Sequence, residues 1–151
     1  MKWHTHRLIG VSVAAFSGAG AVGALLSYIG STLPDLVEGR PPSESGWFFR
    51  SKMRNWRKSH RGASHWFGWY VALALIAYHY HPVLAWIGIG AITHLAADAL
   101  TPMGVPALPF SKKHMMSLSL FSTGSAGEYV FFLCLLTSLL YFISHHSLQV
   151  L

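Results

Sequence analysis

Thr93-His94-Leu95-Ala96-Ala97-Asp98-Ala99-Leu100-Thr101-Pro102-Met103-Gly104-Val105-Pro106 closes an apolar run that begins near Val83. The reading of this stretch decides the fold. His94 and Asp98 are four residues apart, so on a helix they lie on one face, one turn from each other. An imidazole and a carboxylate so placed can hold a divalent metal between them. Thr101-Pro102 ends the helix, because proline lacks the amide proton and restricts the residue before it. The pair therefore falls in the last turns of a helix of membrane length, near one bilayer surface, where ionisable residues mark a functional site.

The rest of the chain agrees with a membrane reading. Of 151 residues, 52% are hydrophobic and 11% charged, with a mean hydropathy of +0.40, whereas a soluble domain carries roughly 25% charged residues. The fold class expected is all-α: a single membrane-embedded domain over residues 1–151, built as a polytopic helical bundle. Trp66 to Tyr80, Val83 to Leu100 and Ala126 to Ser144 are the three expected spanning helices. The single cysteine, Cys134, lies inside the last apolar run, which excludes an intrachain disulfide.

An N-terminal element precedes them, apolar from Leu8 to Gly30 and rich in small residues. It reads either as one more spanning helix or as a re-entrant hairpin turning at Ser17-Gly18-Ala19-Gly20. A signal peptide is a third reading, from Lys2, Arg7 and Ala19-Gly20-Ala21. The eleven basic residues favour the hairpin. Seven fall between Gly39 and Arg61, and Lys112 and Lys113 in the later loop, which makes both loops cytoplasmic. Only a hairpin puts Lys2 and Arg7 on that side as well, and it brings His6 beside Asp35.

With that topology the candidate ligands converge at one membrane face. Asp35 ends the first element, His60 and His65 enter the second run, His94 and Asp98 leave the third, and Glu128 opens the fourth. His6 joins them through the hairpin. This set holds three of the five acids and four of the ten histidines. Mixed imidazole and carboxylate ligands suit zinc, with manganese or magnesium as alternatives. Seven ligands exceed one tetrahedral site, so one to three ions are expected, and two rather than one. Such a centre supports hydrolysis by a metal-activated water, with Asp35, His65, Asp98 and Glu128 as the catalytic candidates. Arg61 is placed to fork onto a phosphate, and Lys112, Lys113 and His114 are candidates for binding substrate charge.

Trp47-Phe48-Phe49 followed by Arg50, Lys52, Arg54, Trp56, Arg57 and Lys58 reads as a short amphipathic helix on the membrane surface. Anionic lipid is its expected partner. Nucleic acid ranks lower, because the patch adjoins membrane helices.

Thr5-His6, Leu33-Pro34-Asp35, His60-Arg61-Gly62 with Ser64-His65, the Thr93–Pro106 stretch and Gly127-Glu128 occur in that order along nearly the whole chain. Together they resemble the YdjM-type membrane-bound metal-dependent hydrolases of bacterial inner membranes. The resemblance implies a multi-pass inner-membrane protein with its active site facing the cytoplasm. One position departs: the family usually has a second acid two residues after the Pro-Asp acid, where this chain has Val37, with Glu38 next, so either Glu38 substitutes or one metal position is weakened. More distantly, the His-x-x-x-Asp helix is similar to the zinc-dependent phospholipase C and single-strand nuclease superfamily, which implies a phosphoester substrate, with lipid among the candidates.

Two other functions compete. One is a non-catalytic membrane protein with a closed structural metal site and a basic lipid- or partner-binding loop. The other is a metal or proton transporter. It needs ionisable residues through the bilayer, and Leu73 to Ala77 and Phe131 to Leu140 carry none.

Overall fold

A computed structural model describes residues 1–39, 51–54, 56 and 60–148. The N-terminal element is a helical hairpin. α1 (Trp3–Phe16) and α2 (Gly20–Gly30) pack along each other, and the turn between them uses Gly18 and Gly20 at positive φ. Left-handed backbone there is open to glycine and strained for other residues. α3 (Leu33–Glu38) follows after a short break, with Pro34 in its first turn, where its missing N–H leaves no helical bond unmade.

α4 (Phe67–Tyr80) and α5 (Ala85–Ala99) form a second antiparallel pair joined by the turn Pro82–Leu84. α5 is the central element: α1, α2 and α4 all pack on it. Its small residues permit this, because contact between membrane helices is governed by how closely the backbones can approach. A Cβ on Gly90 would stand 2.2 Å from the Ser27 carbonyl oxygen, and one on Gly30 would stand 2.0 Å from that of Ile87. α6 (Ala126–Leu148) packs on α1 and is otherwise exposed over most of its apolar length.

Among the described residues, three stretches are long and apolar enough to cross a membrane: Gly20–Glu38, Pro82–Ala99 and Ala126–His146. Two match expected spans. The expected span at Trp66 to Tyr80 is a 14-residue helix, about 21 Å at 1.5 Å per residue, well short of a hydrocarbon core of about 30 Å.

The all-α expectation needs a correction. The loop after α5 carries a two-stranded antiparallel sheet, β1 (Val105–Leu108) and β2 (Ser111–Met116), with Val105 opposite Met116 and Leu108 opposite Ser111. Gly104 enters it at φ +66, with the Met116 carbonyl filling the space of a side chain. Beyond β2 the chain returns across the end of α5. The Leu118 and Leu120 amides donate to the Ala99 and Leu100 carbonyls at 2.7 and 2.8 Å, satisfying acceptors that a helix C-terminus leaves unpaired. The surface helix expected from Trp47 to Lys58 lies largely outside the described residues; 51–54 are helical.

Candidate metal centre

Helix geometry assembles the site. His94 and Asp98 stack on the buried face of α5, both about 1% exposed. Asp35 and Glu38 are three apart on α3, which turns both carboxylates to one side. Val37, at the position where an acid was expected, is turned away and 65% exposed. His65 is buried in the single turn before α4, and His6 is buried in the second turn of α1.

Four donor atoms converge. His65 Nε2 lies 3.5 Å from Asp35 Oδ1 and 3.6 Å from Asp98 Oδ2. His94 Nε2 lies 3.6 Å from Asp35 Oδ1 and 3.4 Å from Asp98 Oδ2. Ligands at about 2.1 Å around a tetrahedral zinc stand about 3.4 Å from one another. Both Nε2 atoms are buried and make no hydrogen bond. Unpaired buried polar atoms are costly and rare, and here two of them point at the same pair of carboxylates. The donor set therefore fits a divalent cation.

The outer nitrogens and oxygens are held in place. His94 Nδ1 lies 2.7 Å from the Ser31 carbonyl, which only accepts, so Nδ1 carries the proton and Nε2 presents its lone pair. His65 Nδ1 faces Glu38 Oε2 at 3.4 Å and the Ser64 hydroxyl at 3.1 Å. Glu38 Oε2 is also 3.0 Å from His60 Nδ1, and its Oε1 accepts the Arg61 amide at 2.9 Å. On Asp98, Oδ1 accepts from Arg61 Nη2 at 2.6 Å and from the Met1 amino group at 2.9 Å, leaving Oδ2 to the two histidines.

His6 completes a second, overlapping triad with His94 and Asp98. Its ring stacks on His94 at 3.7 Å, and its Nε2 is 3.4 Å from Asp98 Oδ1. Burial pushes His6 down to about 4 against the opposing pull of Asp98, so the ring is neutral at physiological pH. The triads His6–His94–Asp98 and Asp35–His65–His94 share His94, whose only available nitrogen is Nε2. They describe one centre. Beside it opens a cleft of about 220 Å³ whose walls include His6, Asp35, Glu38, His60, Arg61 and Asp98.

The remaining predicted residues are placed differently. His60 lines the cleft, paired to Glu38 and stacked on Trp56 at 4.3 Å, and belongs to neither triad. The Arg61 guanidinium is buried on Asp98, the Thr101 hydroxyl at 2.8 Å and the Gly104 carbonyl at 3.3 Å. The Lys112 ammonium donates to the His60 carbonyl, while Lys113 and His114 are exposed on β2. Glu128 stands apart from the histidines. Its Oε1 accepts from the Lys2 amide at 2.6 Å and the Thr5 hydroxyl at 2.9 Å, and its Oε2 from the Gly124 amide at 2.6 Å. It ties the start of α1 to the start of α6. Glu38 is brought to the site as the partner of His65 and His60, outside both triads. Its signal was the i, i+3 spacing to Asp35, which outweighs nearness to the expected position 37.

The chain matches the family described as YdjM inner membrane protein over residues 1–149, and it belongs to that family. No curated protein and no solved structure matches it.

Proposed function

We propose that this chain is a metal-dependent hydrolase of phosphoesters at the cytoplasmic face of the inner membrane, working through one divalent ion. The observation that carries the reading is the convergence of His65 Nε2, His94 Nε2, Asp35 Oδ1 and Asp98 Oδ2 at 3.4–3.6 Å, with both nitrogens buried and unpaired. Zinc is the first candidate, with manganese or magnesium as alternatives. A divalent ion held there would supply Lewis acidity toward a phosphoryl oxygen and make water acidic enough to attack at neutral pH.

The chain's own residues do the rest. Ser31 and Glu38 fix the ring orientations of His94 and His65. Arg61 turns Asp98 so that only Oδ2 faces them. The Glu38–His60 pair, on the cleft wall, is placed to carry a proton to or from a bound substrate. Orientation follows from charge. Among the described basic residues, Arg61 on Asp98 and Lys112 on the His60 carbonyl lie at the site end, with Lys2 against Glu128. The excess of positive charge on cytoplasmic segments supports that end as the cytoplasmic one.

A second reading has its own support. Were all four donors to bind one ion, they would leave no tetrahedral position open, which is the signature of a structural metal site, whereas a catalytic one keeps a position open. The adjoining cleft, with His6, Asp35 and Asp98 on its wall, favours the open form.

Elemental analysis of the detergent-purified protein, beside a His94→Ala, Asp98→Ala double variant, tests the proposal. About one equivalent of metal is expected, lost in the double variant, followed by metal-dependent release of phosphate or alcohol from phosphoester lipids. A wild type that stays empty after zinc is added sinks both metal readings. Bound metal without turnover on any phosphoester leaves the structural one.

A further inference from the structure

The hairpin β1–β2 and the chain behind it carry apolar side chains that no described residue covers. Phe110, in the two-residue turn, is 84% exposed, and Leu108, Met116, Leu118 and Leu120 are between 45% and 66% exposed. An exposed apolar surface of this kind marks an interaction site, and three observations say what meets it.

The first is its level. The Leu118 and Leu120 amides are hydrogen-bonded to the carbonyls of Ala99 and Leu100, the end of the candidate span Pro82–Ala99. Six residues after Leu120 the next candidate span begins at Ala126. The boundary between hydrocarbon and water crosses the molecule where these spans end. The second is continuity with an aromatic group. Trp66 donates its ring N–H to the Ala107 carbonyl at 3.1 Å, and Trp69 meets the Phe110 ring at 6.5 Å. Tryptophan at the end of an apolar helix is characteristic of the membrane interface. The third is charge. Lys113 is exposed three residues along from Phe110, where an anionic headgroup would meet it.

From these we infer that the β1–β2 hairpin and Met116–Leu120 lie in the bilayer interface, with Phe110, Leu118 and Leu120 among the acyl chains and Lys113 on anionic headgroups. The hairpin is also joined to the cleft. Lys112 holds the His60 carbonyl, and the Gly104 carbonyl holds Arg61. The surface that grips lipid thus braces His60 and Arg61, two residues of the cleft wall. This sets the cleft at headgroup depth, where a phosphoester substrate would come from lipid.

The test uses the full chain with Cys134→Ser, carrying Phe110→Cys or Leu118→Cys labelled with bimane, in liposomes of phosphatidylethanolamine and phosphatidylglycerol. Leu133→Cys, in the exposed part of α6, is the deep reference. Labels at both hairpin positions should be quenched at least twofold by lipid with a doxyl group at carbon 5 and hardly by aqueous iodide. Quenching by iodide and not by doxyl lipid at both positions overturns the inference and gives the surface to a protein partner. Adding Lys113→Glu should weaken doxyl quenching in these liposomes more than in neutral phosphatidylcholine; an equal response in both overturns the headgroup contact. No measurement depends on turnover, so failure here is distinguishable from failure of the hydrolase reading.

Discussion

Asp98 and Glu128 are both buried carboxylates at the site end of the molecule, about 1% exposed, and their surroundings are opposite. Asp98 faces cations and unpaired nitrogens: Arg61 and the Met1 amino group on one oxygen, the bare Nε2 atoms of His65 and His94 on the other. Glu128 faces neutral donors that satisfy both of its oxygens, two backbone amides and a hydroxyl. Burial alone therefore does not identify a ligand. What separates the two is whether the neighbouring donors are left wanting a partner. A buried imidazole nitrogen that faces carboxylates without a hydrogen bond has a lone pair to offer a cation, and an amide N–H on a carboxylate is a finished interaction.

The largest effect should come from Asp98→Asn. It removes a ligand charge and strands Arg61 as a buried cation, and breaking a buried pair in this way costs about 3–5 kcal/mol. Metal content should fall to background and thermal stability should drop together. If Asp98→Asn keeps its metal, the contrast with Glu128 fails at its root.

Much of this contrast was legible in the sequence, and part of it was not. His94 and Asp98 announce themselves through the spacing of one helical turn, and the prolines and glycines bound α2 and α5 closely. The capping pattern of Ser125-Ala126-Gly127-Glu128 was equally readable: a serine before a helix and an acid three residues on. The Glu128 amide does face Ser125 Oγ at 3.4 Å, while its carboxylate reaches back to Gly124. That helix-start chemistry was a better account of Glu128 than metal ligation. The hairpin was hidden for a physical reason. Pro106 sits inside β1, Pro109-Phe110 is not a glycine or asparagine turn, and Ser111 to Met116 lacks alternation. Its pairing is imposed by the return of the chain across the end of α5, which no local pattern records.

Glu38→Gln should give the next effect. Glu38 touches His65 through its outer nitrogen and is not one of the converging donors. Removing the partner of a metal-bound histidine weakens metal affinity by about 10–100-fold. Competition with a chelating dye would measure it. The same variant should depress kcat more than KM on any phosphoester turned over, because it also takes the negative charge from the partner of His60. A fall to the level of Asp98→Asn would instead make Glu38 a direct ligand.

Glu128→Gln should give the smallest effect on metal and a distinct one on stability. The amide keeps the size of the carboxylate but replaces one acceptor oxygen with an NH₂ group. Whichever way it turns, a donor then faces the Gly124 amide on one side, or the Lys2 amide and Thr5 hydroxyl on the other. Leaving such a buried donor unpaired costs about 1–3 kcal/mol, so the thermal midpoint should fall and the start of α1 should become more labile to proteolysis. Metal affinity should change less than twofold, since no converging donor atom has moved. His6 makes this a sharp test, because it lies one residue from Thr5 on the segment that Glu128 holds. Loss of metal in Glu128→Gln, restored when chain loosening is suppressed at low temperature, would show that the anchor serves the centre through His6. Loss at every temperature would return Glu128 to the ligand set.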